Sequence, residues 1–328
     1  MSEQDNLKVS VVVPVYNAQA TLRHLIDSLL AQDYPKNNLE IIMVDDGSTD
    51  NSAAIIKERA EIKYLYQKNA GPAAARNYGW QSATGEIVCF MDADCFASSD
   101  WLTQLLFGFR SKDIAAVAGT YGITGSQNVI AWCVYEEIQY RHKKMPDVIR
   151  AFGSYNVAIR MSVLKETGGF NSRYRQPSAE DYDLSYRIAQ LSYKIYFAKG
   201  AFVYHFYAQS IHSYFAKQFR HGFWRMKLYR NHPFMLGKDD YANWRDVVDP
   251  LLALAILILF CLAQILVFRI EWKILLVVYT IMQVPLAVKI TLRKRNLKYL
   301  NLFWLTFIRG FARGLGTLFG LLRFGVIK

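Results

Sequence analysis

The sequence predicts an α/β protein with a mainly parallel sheet, followed by a helical membrane region. Short apolar runs alternate with amphipathic runs over the first hundred residues, as in a parallel sheet with crossover helices. Two long, nearly uncharged apolar runs follow position 251, and each approaches the ~20 residues that cross a bilayer. The positive charge is also C-terminal, since residues 209–328 contain 18 Lys and Arg but only 5 Asp and Glu, against 21 and 22 in residues 1–208.

Charge and cysteine content narrow the class of protein. The net charge of +12 comes from the part of the chain that holds the apolar runs, so the predicted partner is an anionic membrane and not a nucleic acid. Residues 1–8 are polar and the first apolar run is short, so no secretory signal is expected. The cysteines have no metal-ligand spacing, which predicts reduced core thiols and a cytosolic setting. They are Cys89, Cys95, Cys133 and Cys261.

Hydrophobic periodicity places the elements in order. Runs rich in Val and Ile predict strands at 9–15, 40–44, 62–66, 86–91, 114–118, 194–198 and 201–206. Runs with apolar residues three or four apart predict helices at 21–32, 52–60, 71–83, 101–109, 182–191 and 211–230, and a partly helical segment at 129–142. The strand–helix alternation of the first six elements implies right-handed crossovers.

Polar side chains follow three predicted strands at their carboxyl ends. Tyr16 follows the first strand, Asp45 and Asp46 the second, and Asp92 and Asp94 the strand that ends at position 91. In a parallel sheet these ends share one rim, where ligands bind. Two carboxylates one residue apart suit a divalent cation that carries phosphate oxygens, which predicts a metal-diphosphate site. Both acidic pairs are also typical of turns and helix caps.

Arg76 lies one turn into the helix that starts at Gly71 and Pro72. The positive end of a helix beside a guanidinium is suited to a phosphate or a nucleobase carbonyl. A solvated surface arginine is the alternative for this residue.

Together these residues belong to a set of motifs that resembles the family 2 glycosyltransferases, which have the GT-A nucleotide-diphospho-sugar transferase fold, a Rossmann-like α/β domain. The motifs follow the family's order and spacing from about residue 8 to residue 208. They are VVVPVYN at 11–17, VDDGSTD at 44–50, NAGPAAARN at 69–77, FMDAD at 90–94 and AEDYDL at 179–184.

The resemblance implies roles for the motif residues. Asp94 is expected to bind Mn²⁺ or Mg²⁺ directly, Asp92 to contact the ribose or the metal-bound diphosphate, and His205 to contribute to the metal site. A packed core histidine is the alternative for His205. The residues expected to bind the nucleotide are Pro14, Tyr16, Asp45, Asp46, Arg76 and Asp92.

Segment 152–160 resembles the part of the family that returns to the donor site. It offers Gly153, Ser154 and Asn156 as candidate sugar contacts. The region between positions 120 and 150 varies in this family and helps to form the acceptor side.

Asp181 has two interpretations. Ser178 and Asp181 have the spacing of a capping box, in which the acid reaches back from the first turn of the helix. The family resemblance instead implies that Asp181 is the general base that deprotonates the acceptor hydroxyl in an inverting transfer. Glu180 is expected to orient the acceptor or a neighbouring side chain.

The predicted helix at 211–230 is basic, aromatic and amphipathic, which predicts a helix at the membrane surface or over the active site. Arg220 and Trp224 are candidate acceptor or sugar contacts. The segment QFRHGFW at 218–224 departs from the Gln-x-x-Arg-Trp signature of polymerising members, which puts processive synthesis in doubt.

The apolar runs predict transmembrane helices at about 251–268 and 272–290. Lysines and arginines at 289–298 follow the second run, so the positive-inside rule predicts a cytoplasmic catalytic domain at the cell membrane. Residues 299–328 contain three arginines and several glycines, which predicts interfacial helices in place of a third span. A buried soluble helical domain is the alternative.

These expectations divide the chain into a catalytic domain at 1–208, an interface region at 209–248 and a membrane region at 249–328. The expected function is metal-dependent, inverting transfer of a sugar, from a nucleotide-sugar donor that is most simply a UDP-sugar, to a polyprenyl-linked saccharide in cell-surface polysaccharide or glycan synthesis. The alternatives are a synthase that uses polyprenyl phosphate itself as the acceptor, and a non-catalytic membrane scaffold with a sugar-nucleotide fold.

Overall fold

The computed structural model describes residues 6–123, 128–176, 178–206, 210–235, 240–241, 243–263 and 270–325. The described residues form two compact units. One contains those of Met1–Thr124 and Lys144–Phe206, and the other those of Gly125–Lys143 and Tyr207–Lys328.

The described elements run in the order that the sequence predicts. The strands are β1 Val9–Val15, β2 Leu39–Asp45, β3 Ile62–Tyr66, β4 Ile87–Met91, β5 Cys95–Ala97, β6 Ile114–Ile123, β7 Val148–Ile149, β8 Asn156–Arg160 and β9 Lys194–His205. The helices are α1 Leu22–Leu30, α2 Ser52–Lys57, α3 Pro72–Gln81, α4 Trp101–Leu106, α5 Val129–His142, α6 Met161–Thr167, α7 Glu180–Gln190, α8 Ile211–Asn231, α9 Trp244–Ala263, α10 Glu271–Lys294 and α11 Leu302–Phe324.

One nine-stranded sheet organises the first unit, in the order β3-β2-β1-β4-β8-β6-β9-β5, with β7 paired to β9. Strand β1 lies between β2 and β4 and is parallel to both. The carboxyl ends of these three strands therefore lie side by side, as predicted. Every residue of β4 is buried, as expected for a strand covered on both faces.

The second half of the sheet contains antiparallel strands, in agreement with the prediction of a mainly parallel sheet. Strand β8 is antiparallel to both β4 and β6, so the sheet is mixed. The two strands predicted at 194–206 are one strand, β9, whose pairing with β6 shifts register between Ala118 and Thr120. Gly200 lies at this irregularity, between the partner residues Phe197 and Phe202.

The second unit consists of α5 and α8–α11. Helix α5 follows a strand of the first unit in sequence, yet its Cys133 belongs to the same apolar cluster as Tyr214 of α8 and Leu302 of α11. Three cysteines are buried as predicted, whereas Cys261 is exposed because it lies on a part of α9 that no protein segment covers in the described structure.

Among the described residues, three helical segments are long and apolar enough to cross a membrane: Trp244–Ala263, Glu271–Lys294 and Leu297–Phe324. Large apolar side chains of α9 and α10 are exposed, among them Leu251, Ile258, Ile274, Val277 and Ile281. A face of this kind is typical of lipid contact. Residues 264–268 of the first predicted span lie outside the described residues.

We expected interfacial helices at 299–328 in place of a third span. A single helix, α11, extends over Leu302–Phe324, and the segment Leu297–Phe324 is long and apolar enough to cross a membrane. Two of its arginines have acidic partners, since Arg309 binds Glu137 and Arg313 binds Asp246 at 2.6 and 2.8 Å. Three of its glycines, at 314, 316 and 320, face neighbouring backbone, and a Cβ at Gly314 would lie 2.6 Å from the Pro250 carbonyl oxygen.

Candidate active site

The end of β2 supplies two buried carboxylates with internal partners. Asp45 accepts hydrogen bonds from the Ser48 amide at 2.8 Å and the Tyr64 hydroxyl at 3.0 Å. Asp46 accepts from the amides of Ala70 and Gly71 at 2.8 and 2.9 Å. Asp46 therefore fixes the loop that starts α3. Its predicted contact with a nucleotide stays a prediction, as does that of Asp45.

Helix α3 carries Arg76 into the centre of the unit. The Arg76 guanidinium is 2% exposed and donates to Asp92 Oδ1 at 2.7 Å and Glu180 Oε1 at 2.9 Å. The pKa of Arg76 is raised, because the two carboxylates outweigh the effect of burial. Arg76 is thus not a solvated surface residue, and it binds two acids. Its predicted contact with the nucleotide stays a prediction.

Asp92 and Asp94 differ in surroundings although one residue separates them. Burial and the nearby Asp94 charge raise the pKa of Asp92, and Arg76 opposes that rise. The Asp94 side chain is 51% exposed, and its Oδ2 lies 3.3 Å from Nε2 of the buried His205. The sequence prediction that Asp94 and His205 come together agrees with this geometry.

The pairing of β5 with β9 brings Asp94 and His205 close together. Cys95 opens β5, and its Cα pairs with that of His205 at the end of antiparallel β9. The Cys95 thiol donates to Asp94 Oδ1 at 3.7 Å. One ligand atom each from Asp94, Cys95 and His205 lie within 4.8 Å of one another. Carboxylate oxygen and imidazole nitrogen fit Mn²⁺, whereas Mg²⁺ prefers an all-oxygen set.

Asp181 lies in the first turn of α7, in the same unit as Asp94. It accepts hydrogen bonds from the Tyr182 amide at 2.8 Å and the Ser154 amide at 3.4 Å. Burial, and then the charge of Glu180, raises the pKa of Asp181 to about 7. Such a carboxyl group is suited to accept a proton near neutral pH.

The capping-box interpretation of Asp181 was wrong. The residue before the helix is Ala179, and the acid that reaches back is Glu180, whose Oε2 accepts from the Ser178 and Ala179 amides at 2.9 and 3.0 Å. Because Glu180 accepts the hydrogen bonds of these amides, the Asp181 side chain does not cap the helix and binds the amides of Tyr182 and Ser154.

The three candidate sugar contacts have different surroundings. Asn156 is 1% exposed, and its amide binds the carbonyl oxygens of Thr120 and Ala201 and accepts from the Trp101 indole. Asn156 therefore holds strands together and does not face a ligand. Ser154 is buried with its amide toward Asp181, and Gly153 is partly exposed next to it.

The remaining predicted residues lie at the end of β1 or on α8. Tyr16 is 53% exposed and Pro14 partly exposed at the end of β1, as expected for the rim. Arg220 and Trp224 lie on α8 in the second unit, and their roles stay predictions. Cys95 is the site residue that sequence reasoning missed. Its position directly after Asp94 was the available signal.

Comparison with known proteins adds to this geometry. Residues 10–168 match the model of Glycosyl transferase family 2. The chain is 30% identical over 211 residues to the probable glycosyltransferase YdaM of Bacillus subtilis, covering 59% of this chain and 49% of YdaM. It is 28% identical over 235 residues to a pre-mycofactocin glycosyltransferase of Mycobacterium tuberculosis, covering 69% and 48%. The chain thus spans about half the length of these two relatives.

A solved structure has the same fold. The mannosyltransferase PcManGT of Pyrobaculum calidifontis, determined in complex with GDP-Man and Mn²⁺, superposes with a TM-score of 0.65 at 20% identity, over 95% of this chain and 87% of that one. At this identity the likeness shows the GT-A fold alone. The parallel β2-β1-β4 core and the acidic residues at its rim lie within residues 10–168, the part of the chain that matches Glycosyl transferase family 2.

Proposed function

We propose that this chain transfers a sugar from a nucleotide-diphospho-sugar to an acceptor at a membrane surface, with inversion at the anomeric carbon. The observation that supports this most is the half-exposed Asp94 carboxylate beside His205, one residue from an Asp92 that Arg76 holds in place. An exposed acid fixed by buried neighbours is prepared for a cationic ligand.

Asp94 and His205 are the residues that would hold Mn²⁺ or Mg²⁺, with Asp92 beside them. The bound cation would stabilise the negative charge that develops on the leaving nucleoside diphosphate. The mixed oxygen and nitrogen ligands favour Mn²⁺ over Mg²⁺. Arg76 keeps Asp92 oriented, and its own charge is compensated by Glu180.

Asp181 would accept the proton of the acceptor hydroxyl. Its pKa of about 7 leaves a useful fraction of the carboxyl group ionised at neutral pH while keeping it basic enough to take a proton. The amides of Tyr182 and Ser154 bind its two oxygens, which fixes its orientation.

The proposed acceptor is a polyprenyl-linked saccharide. The exposed apolar faces of α9 and α10 and the described helices long enough to cross a bilayer support attachment of the chain to a membrane, where lipid-linked saccharides are found. The basic residues at the end of α10 favour a cytoplasmic catalytic unit at the cell membrane, where nucleotide sugars such as UDP-sugars are available.

The test is a transfer assay with full-length protein, Mn²⁺, a panel of UDP- and GDP-sugars and a membrane lipid extract. We expect one donor to label the lipid fraction, and Asp94→Asn to abolish labelling. A protein that binds no donor and labels nothing under these conditions would be a scaffold that retains the fold.

A further inference from the structure

Cys95 is a thiol placed among metal-ligating side chains, and the family prediction gives it no role. It is 1% exposed and lies between Asp94 in the sequence and His205 across the sheet. Magnesium and manganese chemistry does not need a thiol, since thiolates select softer ions such as Zn²⁺. The presence of Cys95 therefore changes which ions this site can bind.

The separations between the three side chains are close to those around a tetrahedral ion. Zn²⁺ binds at about 2.0–2.3 Å from nitrogen, oxygen and thiolate sulfur, so two ligands of one tetrahedral ion lie about 3.3–3.7 Å apart. The Asp94 carboxylate makes a contact of such a length with each partner but through different oxygens, Oδ2 to His205 Nε2 at 3.3 Å and Oδ1 to Cys95 Sγ at 3.7 Å, so the carboxylate must turn before one oxygen can serve as the ligand. The third separation, between Cys95 and His205, is within 4.8 Å, so a small movement closes the set.

We propose that Asp94, Cys95 and His205 form a three-ligand site for a thiophilic divalent cation such as Zn²⁺. The cation binds as the Cys95 thiol releases its proton to solvent, and the thiolate, one Asp94 oxygen and His205 Nε2 become its ligands. Three protein ligands leave a fourth position open to water or to a phosphate oxygen.

The proposed Zn²⁺ site rests on the proposed function only because both use Asp94 and His205. It also affects that function. Zn²⁺ and the catalytic cation compete for the same place. Cys95 adds affinity for Zn²⁺ alone, so the chain is inhibited by traces of Zn²⁺ that Mn²⁺ displaces only slowly or at high concentration.

Titration with Cd²⁺ tests the site directly, because a thiolate–Cd²⁺ bond absorbs in the ultraviolet. The full-length protein with Cys261→Ser is the reference, since this change removes the exposed thiol. We expect one charge-transfer band that saturates at one ion per chain, with release of one proton. Adding Cys95→Ser should remove the band and weaken Zn²⁺ competition by roughly 10–100-fold. A Cys89→Ala control, which removes a buried thiol outside the cluster, should retain the band.

The result that overturns the proposal is a reference protein without the band, or a Cys95→Ser protein that keeps it in full. If Cys95→Ser proves unstable, Cys95→Ala serves the same purpose, with folding checked by melting. Donor binding gives an independent readout. A reference protein that shows the Cd²⁺ band but is not stabilised by Mn²⁺ and any donor supports the Zn²⁺ site and contradicts only the proposed function.

Discussion

Arg76 and Glu180 form a buried ion pair, with 2.9 Å between Nη1 and Oε1, although 104 positions separate them in the chain. Their side chains are 2% and 3% exposed. The same Glu180 binds the amides that precede α7, and the same guanidinium binds Asp92. The pair thereby joins the strand end that carries Asp92 and Asp94 to the helix that carries Asp181.

Removal of the Arg76 charge is expected to destabilise the first unit. Arg76→Gln leaves Glu180 and Asp92 without a counter-charge, and breaking a buried pair in this way costs about 3–5 kcal/mol in the free energy of unfolding. Denaturant unfolding measures this cost. Arg76→Gln combined with Glu180→Gln should recover part of the loss, because the second change removes one of the unpaired charges.

The matched control is the exposed pair Arg23–Glu58, with side chains 57% and 49% exposed. Arg23→Gln should leave the free energy of unfolding nearly unchanged, because solvent screens an exposed ion pair. Equal effects at the two arginines would contradict a structural role for the Arg76 pair.

Asp181→Asn is expected to lower the transfer rate by about 10²–10⁴-fold, since the variant cannot accept a proton. The wild-type rate should rise with pH through about 7, the pKa of Asp181, and this rise should disappear in the variant. Initial rates across pH, with donor binding measured separately, provide the check. A variant with nearly full rate would point to an acceptor that is already an anion, such as a lipid phosphate.

Asp181 should also make stability depend on pH. Its pKa is raised from 3.8 to about 7, so the folded state retains a proton that the unfolded chain loses. The associated stability is present below about pH 4 and is lost as pH rises through about 7. Asp181→Asn should therefore melt higher than wild type above neutral pH and at about the same temperature in acid.

Asp50 is a control for Asp181, because its effect on stability should depend on pH in the opposite direction. Burial tends to raise its pKa, but hydrogen bonds from Ser52 and Gln19 outweigh burial and lower it. Its stabilising effect is present at neutral pH and lost in acid, so Asp50→Asn should melt lower than wild type at neutral pH. If the melting temperatures of both variants, relative to wild type, changed with pH in the same direction, the buried environment of Asp181 would be contradicted.

Glycines of α11 are expected to be intolerant of side chains. A Cβ at Gly316 would collide with the backbone of Phe219 in α8, and one at Gly314 would lie 2.6 Å from the Pro250 carbonyl oxygen in α9. Gly316→Ala should cost about 1–3 kcal/mol, measured by melting in detergent. Leu322→Ala, at a side chain 76% exposed, should cost far less. Equal losses would mean that α8 and α11 do not pack closely.

The sequence predicts the parallel part of the sheet well because each of its strands is marked locally. Strand β1 has the predicted bounds, and β2, β3 and β4 differ by at most one residue at either end. The convergence of Asp45, Asp92 and Asp94 at one rim follows from strand order alone. Apolar runs and turn residues specify these elements without help from distant contacts.

The remaining features depend on partners that are distant in sequence. Nothing local distinguishes Glu180 from Asp181, and the choice between them depends on Arg76. Helix α11 resembles a broken segment because its arginines and glycines are unfavourable in isolation, but Glu137, Asp246 and the neighbouring backbones compensate them. Long-range compensation of this kind does not appear as a periodic pattern.

The most direct test of the central claim is the melting temperature of the full-length protein with Mn²⁺ and each member of a panel of UDP- and GDP-sugars. A bound donor at about 100 times its dissociation constant stabilises the fold by about 2.7 kcal/mol. We predict that one donor raises the melting temperature only when Mn²⁺ is present, and that Asp94→Asn abolishes the rise while Asp100→Asn, at an exposed carboxylate outside the site, retains it. A rise that is the same in Asp94→Asn, or no rise with any donor, would contradict the account.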